Sequence, residues 1–180
     1  MGVVAAPSRG ASRLASPAMS RLWDTATIRA EVARRRDVLL ADLDGAGTVA
    51  LLEDGATAPT AEPVDHVVSV AWLAGRDDLD GALSDLARRL GPGGRVHLIE
   101  PTLGVDLTAR AQRLAATVAQ RRTGWRIDRD IPAAARRAGL VLTDLERFSM
   151  PVSSPVLRPW IQGTGRVRPH VPSDLWDTTR

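Results

Sequence analysis

Few side chains in this sequence are equipped for chemistry, and their places along the chain restrict what they could do. Glu100 closes an apolar run, "RVHLIEP" (95–101), just before a proline. A carboxylate there could touch a substrate or cap the turn that follows. His97 lies inside the same run, where a strand packs its side chains against a face or a core, so packing is expected of it rather than proton transfer. His66 and His170 are remote from it in sequence, and the three histidines show no ligand spacing, so no metal site is expected. The absence of cysteine removes disulfides, thiolate ligands and a thiol nucleophile. Trp72, Trp125 and Trp160 stand at the ends of predicted elements, where they could line an apolar pocket or simply pack. None of these residues is singled out as catalytic.

The charge balance excludes one class of partner. The chain has 180 residues, 44% hydrophobic and 25% charged, which is ordinary for a folded domain long enough to bury a core. The calculated pI near 11 reflects chemistry that is missing: all 24 basic residues are arginine, and lysine, tyrosine and cysteine do not occur. The excess of +3 lies in the first 21 residues, where Arg9, Arg13 and Arg21 meet no acid. From Leu22 onward 21 arginines face 21 acids, so a nucleic-acid partner is not expected. No apolar run approaches the roughly 18 to 20 residues of a membrane span, and a membrane partner is not expected either. The expected location is cytoplasmic. Residues 1–21, small, basic and free of acids, read as a disordered extension; 22–168 read as the domain and 169–180 as a flexible tail.

The elements that must position these side chains alternate. "TATIRAEVARRR" (25–36) predicts a helix capped by Thr25, with Ile28 and Val32 on one face. "DVLLADL" (37–43) reads as a strand buried on both faces. "DGAG" (44–47) reads as a turn, "TVALLED" (48–54) as a strand or a helical turn, and "HVVSVAW" (66–72) as a second buried strand. Leu79, Leu83, Leu86 and Leu90 share one face of a helix with acids at its start and arginines in its last turn. "GPGG" stops that helix, glycine taking the left-handed cap. A third strand (95–101), helices at 106–121 and 131–138, and a strand at 140–150 follow. "VLRPWIQGTGRV" (156–167) supplies a last, antiparallel edge. This order predicts an α/β domain with a mostly parallel sheet and helices on both faces. Ligands bind such sheets at the carboxyl ends of the strands, here Asp42 to Gly47, Ser69 to Leu73 and Glu100 to Leu103.

Two stretches carry a family resemblance. "VDHVVSVAWLAGRDDLDGALSDLARRLGPGGRVHLIEP" (64–101) resembles the centre of class I S-adenosylmethionine-dependent methyltransferases: "D-x-V-V-S", a leucine-striped helix, "L-x-P-G-G", a strand and "E-P". "GWRIDRDIPAAARRAGLVLTDLERFSMPVSSPVLRPWIQGTGR" (124–166) resembles the end of the ubiquinone/menaquinone and small-molecule or thiol methyltransferases. The resemblance implies a Rossmann-like fold, S-adenosylmethionine as cofactor and a small-molecule acceptor. In that chemistry positioning does most of the work, and a general base serves only some acceptors.

The same resemblance implies where the cofactor would sit, and where the chain departs. The family's glycine-rich loop after its first strand has "ADLDGAG" (41–47) as nearest counterpart, with Gly45 and Gly47 but an extra acid, Asp44. A second alignment matches "AEVARRRDVLLADLD" to the first helix and second strand, with Asp42 on the ribose hydroxyls, and leaves no glycine loop upstream. Omitting a central strand would strand backbone groups at two edges, so 37–43 is expected to be the central strand beside 66–72, with the outer part of the sheet reduced. "EDGATAP" (53–59) resembles the adenine loop, implicating Asp54, Gly55 and Ala56, although a plain turn would look the same. Ser69, Val70 and Ala71 correspond to the strand end nearest the methyl donor, although buried strand positions would look the same. Two functions stay open: methyl transfer to a small molecule, or a non-catalytic remnant of the fold acting as a binding or interaction protein.

Overall fold

The computed structural model describes residues 23–55 and 63–168. Helix α1 spans Thr25–Asp42, and its N-cap is Asp24, not Thr25. The Asp24 carboxylate accepts from the Thr27 amide at 3.0 Å and from its hydroxyl at 2.7 Å. The expected strand at 37–43 is therefore helical, under either alignment. The apolar stripe of α1 runs on from Ile28 and Val32 to Leu39 and Leu43, all packed in one core cluster. Arg35 stands in the middle of it and hides the period from a hydropathy reading. Its guanidinium lies 3.6 Å from the Phe148 ring centroid and bonds Glu31 and Gln162, each at 2.9 Å.

Strand β1 is Val49–Glu53, β2 is Val64–Val70, β3 is Leu90–Pro101, β4 is Leu140–Ser149 and β5 is Pro159–Val167. They form one sheet in the order β1-β2-β3-β5-β4. β1, β2 and β3 pair in parallel, and β5 runs antiparallel between β3 and β4. Four of the five strands thus point one way, the mostly parallel α/β sheet expected. The edges are β1 and β4, so the 156–167 stretch is antiparallel as expected but interior. β1 takes the place beside β2 expected for 37–43, and among the described residues no strand lies outside it.

Helix α2 (Leu79–Arg89) is capped by Asp78, which accepts from the Gly81 amide at 2.9 Å. It ends on Leu90 in extended conformation, so no glycine takes a left-handed cap there. The left-handed residue is Gly93 (φ +78°), inside the irregular start of β3, where the pairing jumps from Val64–Leu90 to His66–Arg95. Helix α3 covers Asp106–Thr123 and ends on Gly124, which does take the left-handed cap. Helix α4 covers Ile131–Arg137 behind an Asp130 cap. α1 and the end of α3 pack with Val68, Val70 and Ile99 on one face; α2 and α4 pack with Val67, Val96 and Leu98 on the other. No described helix is long and apolar enough to cross a membrane. The stretches 1–21 and 169–180 lie outside the described residues.

Candidate functional site

The carboxyl ends of β1 and β2 open on a cavity of about 340 Å³, within the range of about 300–1,000 Å³ usual for small-molecule sites. α1 lends it Arg29, Val32, Ala33 and Arg36, positions that fall on one helix face. Glu53 and Asp54 come from the end of β1, Val70 and Ala71 from the end of β2, and Trp125 from the segment after α3. Its walls are therefore apolar and its rim charged. Two contacts order that rim. The Arg36 guanidinium donates to Glu53 at 2.5 Å, and the Trp125 indole N–H donates to Asp54 Oδ2 at 3.2 Å.

The floor is held from below. Ala71 adopts a left-handed conformation (φ +52°), which a residue with a Cβ keeps only when its surroundings fix it. Its amide donates to Ile99 O at 2.9 Å, and the chain then enters a short 3-10 turn, Leu73–Gly75. Glu100 anchors that turn. Its carboxylate accepts from Ser69 Oγ at 2.6 Å, Leu73 N at 3.1 Å and Ala74 N at 3.2 Å. Complete burial pushes its carboxyl up to about 7, against the pull of these donors. Glu100 caps the turn and does not line the cavity.

Of the residues picked from sequence, Asp54, Ala71 and Trp125 line this cavity. Gly55 (φ +80°) follows Asp54 at its rim in a turn; Ala56 lies outside the described residues. Ser69 is buried, with its hydroxyl spent on Glu100. Asp42, Gly45 and Gly47 are misplaced by the sequence reading, because they lead into β1 and so stand at the amino ends of the strands. There Asp65 accepts from the Thr48 amide and hydroxyl, both at 2.9 Å, which draws its carboxyl below the usual carboxylate range. A Cβ on Gly47 would stand 2.5 Å from that carboxylate. The glycine serves the turn. Val70, within the strand end expected at Ser69 to Leu73, lines it too. Arg29, Val32, Ala33, Arg36 and Glu53 were not foreseen; the α1 face is legible once 25–42 is one helix.

The three tryptophans do not share a pocket. Trp125 lines the cavity; Trp160 meets it edge-on, centroids 5.6 Å apart, and lines a separate cleft beside Val105 and Phe148. Trp72 packs under Arg76 on the other face. His97 is packed, as its strand position implies. One ring nitrogen meets Thr164 Oγ1 and the other meets His66 Nδ1, each at 3.1 Å. Burial first, then His66 and Arg95, hold its imidazole down at about 4. The two histidines are thus neighbours, although remote in sequence, but no described cluster of three ligating side chains exists.

No family model and no curated protein matches the chain. Among solved structures it is similar to the YcgJ protein from Bacillus subtilis, at 12% identity and TM-score 0.50, covering 63% of this chain and 68% of that one. It is also similar to the [4+2]-cyclase SpnF (14%, TM-score 0.46, 63% and 54% coverage). A third is a SAM-dependent methyltransferase of Thermotoga maritima described as a possible histamine N-methyltransferase (16%, TM-score 0.43, 61% and 59%). At 12% identity the likeness to YcgJ is one of fold. The chain spans between about half and two thirds of the length of these neighbours.

Proposed function

We propose that this chain is an S-adenosylmethionine-binding protein of the class I methyltransferase fold, transferring a methyl group to a small-molecule acceptor. One observation carries the reading: a cavity of nucleoside size with apolar walls opens at the carboxyl ends of parallel strands, where this architecture places its ligands. The donor set fits that cofactor. Val32, Ala33, Val70, Ala71 and Trp125 offer an apolar bed for a purine. Glu53 and Asp54 offer acceptors for hydroxyls or an amino group, and Arg29 and Arg36 offer cations for a carboxylate. When bound, the sulfonium of the cofactor supplies an electrophilic methyl group. The chain contributes position: Glu100 fixes the turn beneath Ala71, and Trp125 fixes the Asp54 carboxylate.

A second reading rests on the glycine-containing turn at 44–47, which stands at the opposite end of the sheet from the cavity. Without a glycine loop against its amino-acid end, the cofactor would be held by its nucleoside part, and the protein would bind without turning over. Calorimetric titration with S-adenosylmethionine and S-adenosylhomocysteine tests both readings. Micromolar binding, weakened about tenfold by Asp54→Ala and untouched by Asp42→Ala, supports the cavity. No heat with millimolar ligand sinks it. Binding without methyl transfer to any acceptor in a small-molecule panel selects the second reading.

A further inference from the structure

Residues 124–130 join α3 to α4 with no helix or strand of their own. Trp125 is their contribution to the cavity wall. It is buried with Ile127 in the core cluster of α1, and its indole N–H reaches Asp54. The far end of the segment is fixed by Arg129, in two directions at once. Its backbone carbonyl accepts from the Leu103 amide at 2.7 Å and from the Thr102 hydroxyl at 3.4 Å, just beyond β3. Its guanidinium donates to three carbonyls of the turn after β2: Leu73 O at 3.4 Å, Arg76 O, and Asp77 O at 2.9 Å. The 3-10 turn ends at Gly75, so the carbonyls that follow receive no bond from within it. A planar guanidinium with five N–H groups supplies several donors to such a set. Midway along the segment, the Arg126 amide donates to Ala74 O at 2.9 Å.

We propose that Arg129 is a positioning residue of the cavity: it ties residues 124–130 to the ends of both β2 and β3, and so sets Trp125 against Asp54 and the Ala71 floor. This rests on the reading of the cavity as the cofactor's site. Arg129 itself does not line the cavity, so it acts through Trp125. A segment without a hydrogen-bond ladder of its own keeps one conformation only through contacts outside it. Without the guanidinium, the Arg126–Ala74 bond is left as the backbone tie between the segment and the turn. The wall then moves against the floor, and a ligand must order it on binding, which lowers affinity. Positive charge alone does not replace the fork. A lysine ammonium is a point donor and does not span carbonyls from Leu73 to Asp77.

Two measurements on the full chain test this: calorimetric titration with S-adenosylhomocysteine, and the NMR resonance of the Trp125 indole N–H, assigned by its loss in Trp125→Phe. Arg129→Ala is expected to bind about tenfold more weakly and to shift that resonance toward the position of an indole without a partner. Arg129→Lys is expected to fall between the two in both readouts, and it carries the test if the alanine variant does not fold. Gly47→Ala, destabilised at the opposite ends of the strands, is expected to leave both readouts unchanged, which separates positioning from loss of stability. Unchanged affinity or an unmoved indole resonance in the folded Arg129 variants overturns the proposal. Equal weakening by Gly47→Ala overturns it as well. If the unmodified chain binds no ligand, the cofactor reading of the cavity fails, and the indole resonance alone decides whether Arg129 sets the wall.

Discussion

Ser69 Oγ donates a 2.6 Å hydrogen bond to Glu100 Oε1 between the adjacent parallel strands β2 and β3, with both residues fully buried. This link ties the end of β2 to the turn beneath the cavity floor. The Glu100 carboxyl, pushed up to about 7 from an ordinary 4.5, is more easily protonated in the folded chain than in the unfolded one. Its contribution to stability is fully present below about pH 4.5 and is lost as pH rises through about 7. Glu100→Gln, which keeps shape and an acceptor, is expected to remove that slope from denaturant midpoints measured between pH 4.5 and 8. Identical pH profiles for the two proteins would refute it.

His97 gives the opposite sign. Held at about 4 against an ordinary 6.5, its neutral form is favoured in the fold. That stability is present above about pH 6.5 and is lost as pH falls toward 4. The His66 ring, Thr164 and Arg95 surround it, and Asp144 and Glu146 share its cleft. Nitrogen NMR of the imidazole is expected to show His97 neutral at pH 5.5; a midpoint near 6.5 would refute the burial argument.

Gly47 separates the turn from the site. Its φ of +121° and the Asp65 carboxylate beside it leave no room for a side chain. Gly47→Ala is expected to cost about 1–3 kcal/mol of stability while leaving S-adenosylhomocysteine affinity unchanged. A specific loss of affinity in the folded variant would return this turn to the binding site.

Gln112 anchors α3 through three hydrogen bonds to backbone groups. Gln112→Leu removes the side-chain partners of the half-buried Gly104 amide and of the Thr102 and Val156 carbonyls, with an expected loss of about 1–3 kcal/mol. Hydrogen exchange should quicken across Asp106–Thr123 before the sheet responds. Uniform exchange changes would show that the helix is held some other way.

The sequence by itself determined the order of most elements, the mostly parallel α/β sheet, and four of the cavity residues, Asp54, Val70, Ala71 and Trp125. It could do so because those signals are local: continuous apolar runs for β2 and β3, a leucine stripe for α2, and acids at helix starts. It misread 37–43, because a short apolar run fits a strand as well as a helix once Arg35 breaks the period. Only the tertiary structure decided that Arg35 belongs to the stripe, by stacking it on Phe148 more than a hundred residues away. Only the sheet order decided which ends of the strands carry the cavity, and so moved Asp42, Gly45 and Gly47 away from it and brought Arg29 and Arg36 in. Those choices depend on contacts between distant segments, and no periodicity along the chain encodes them.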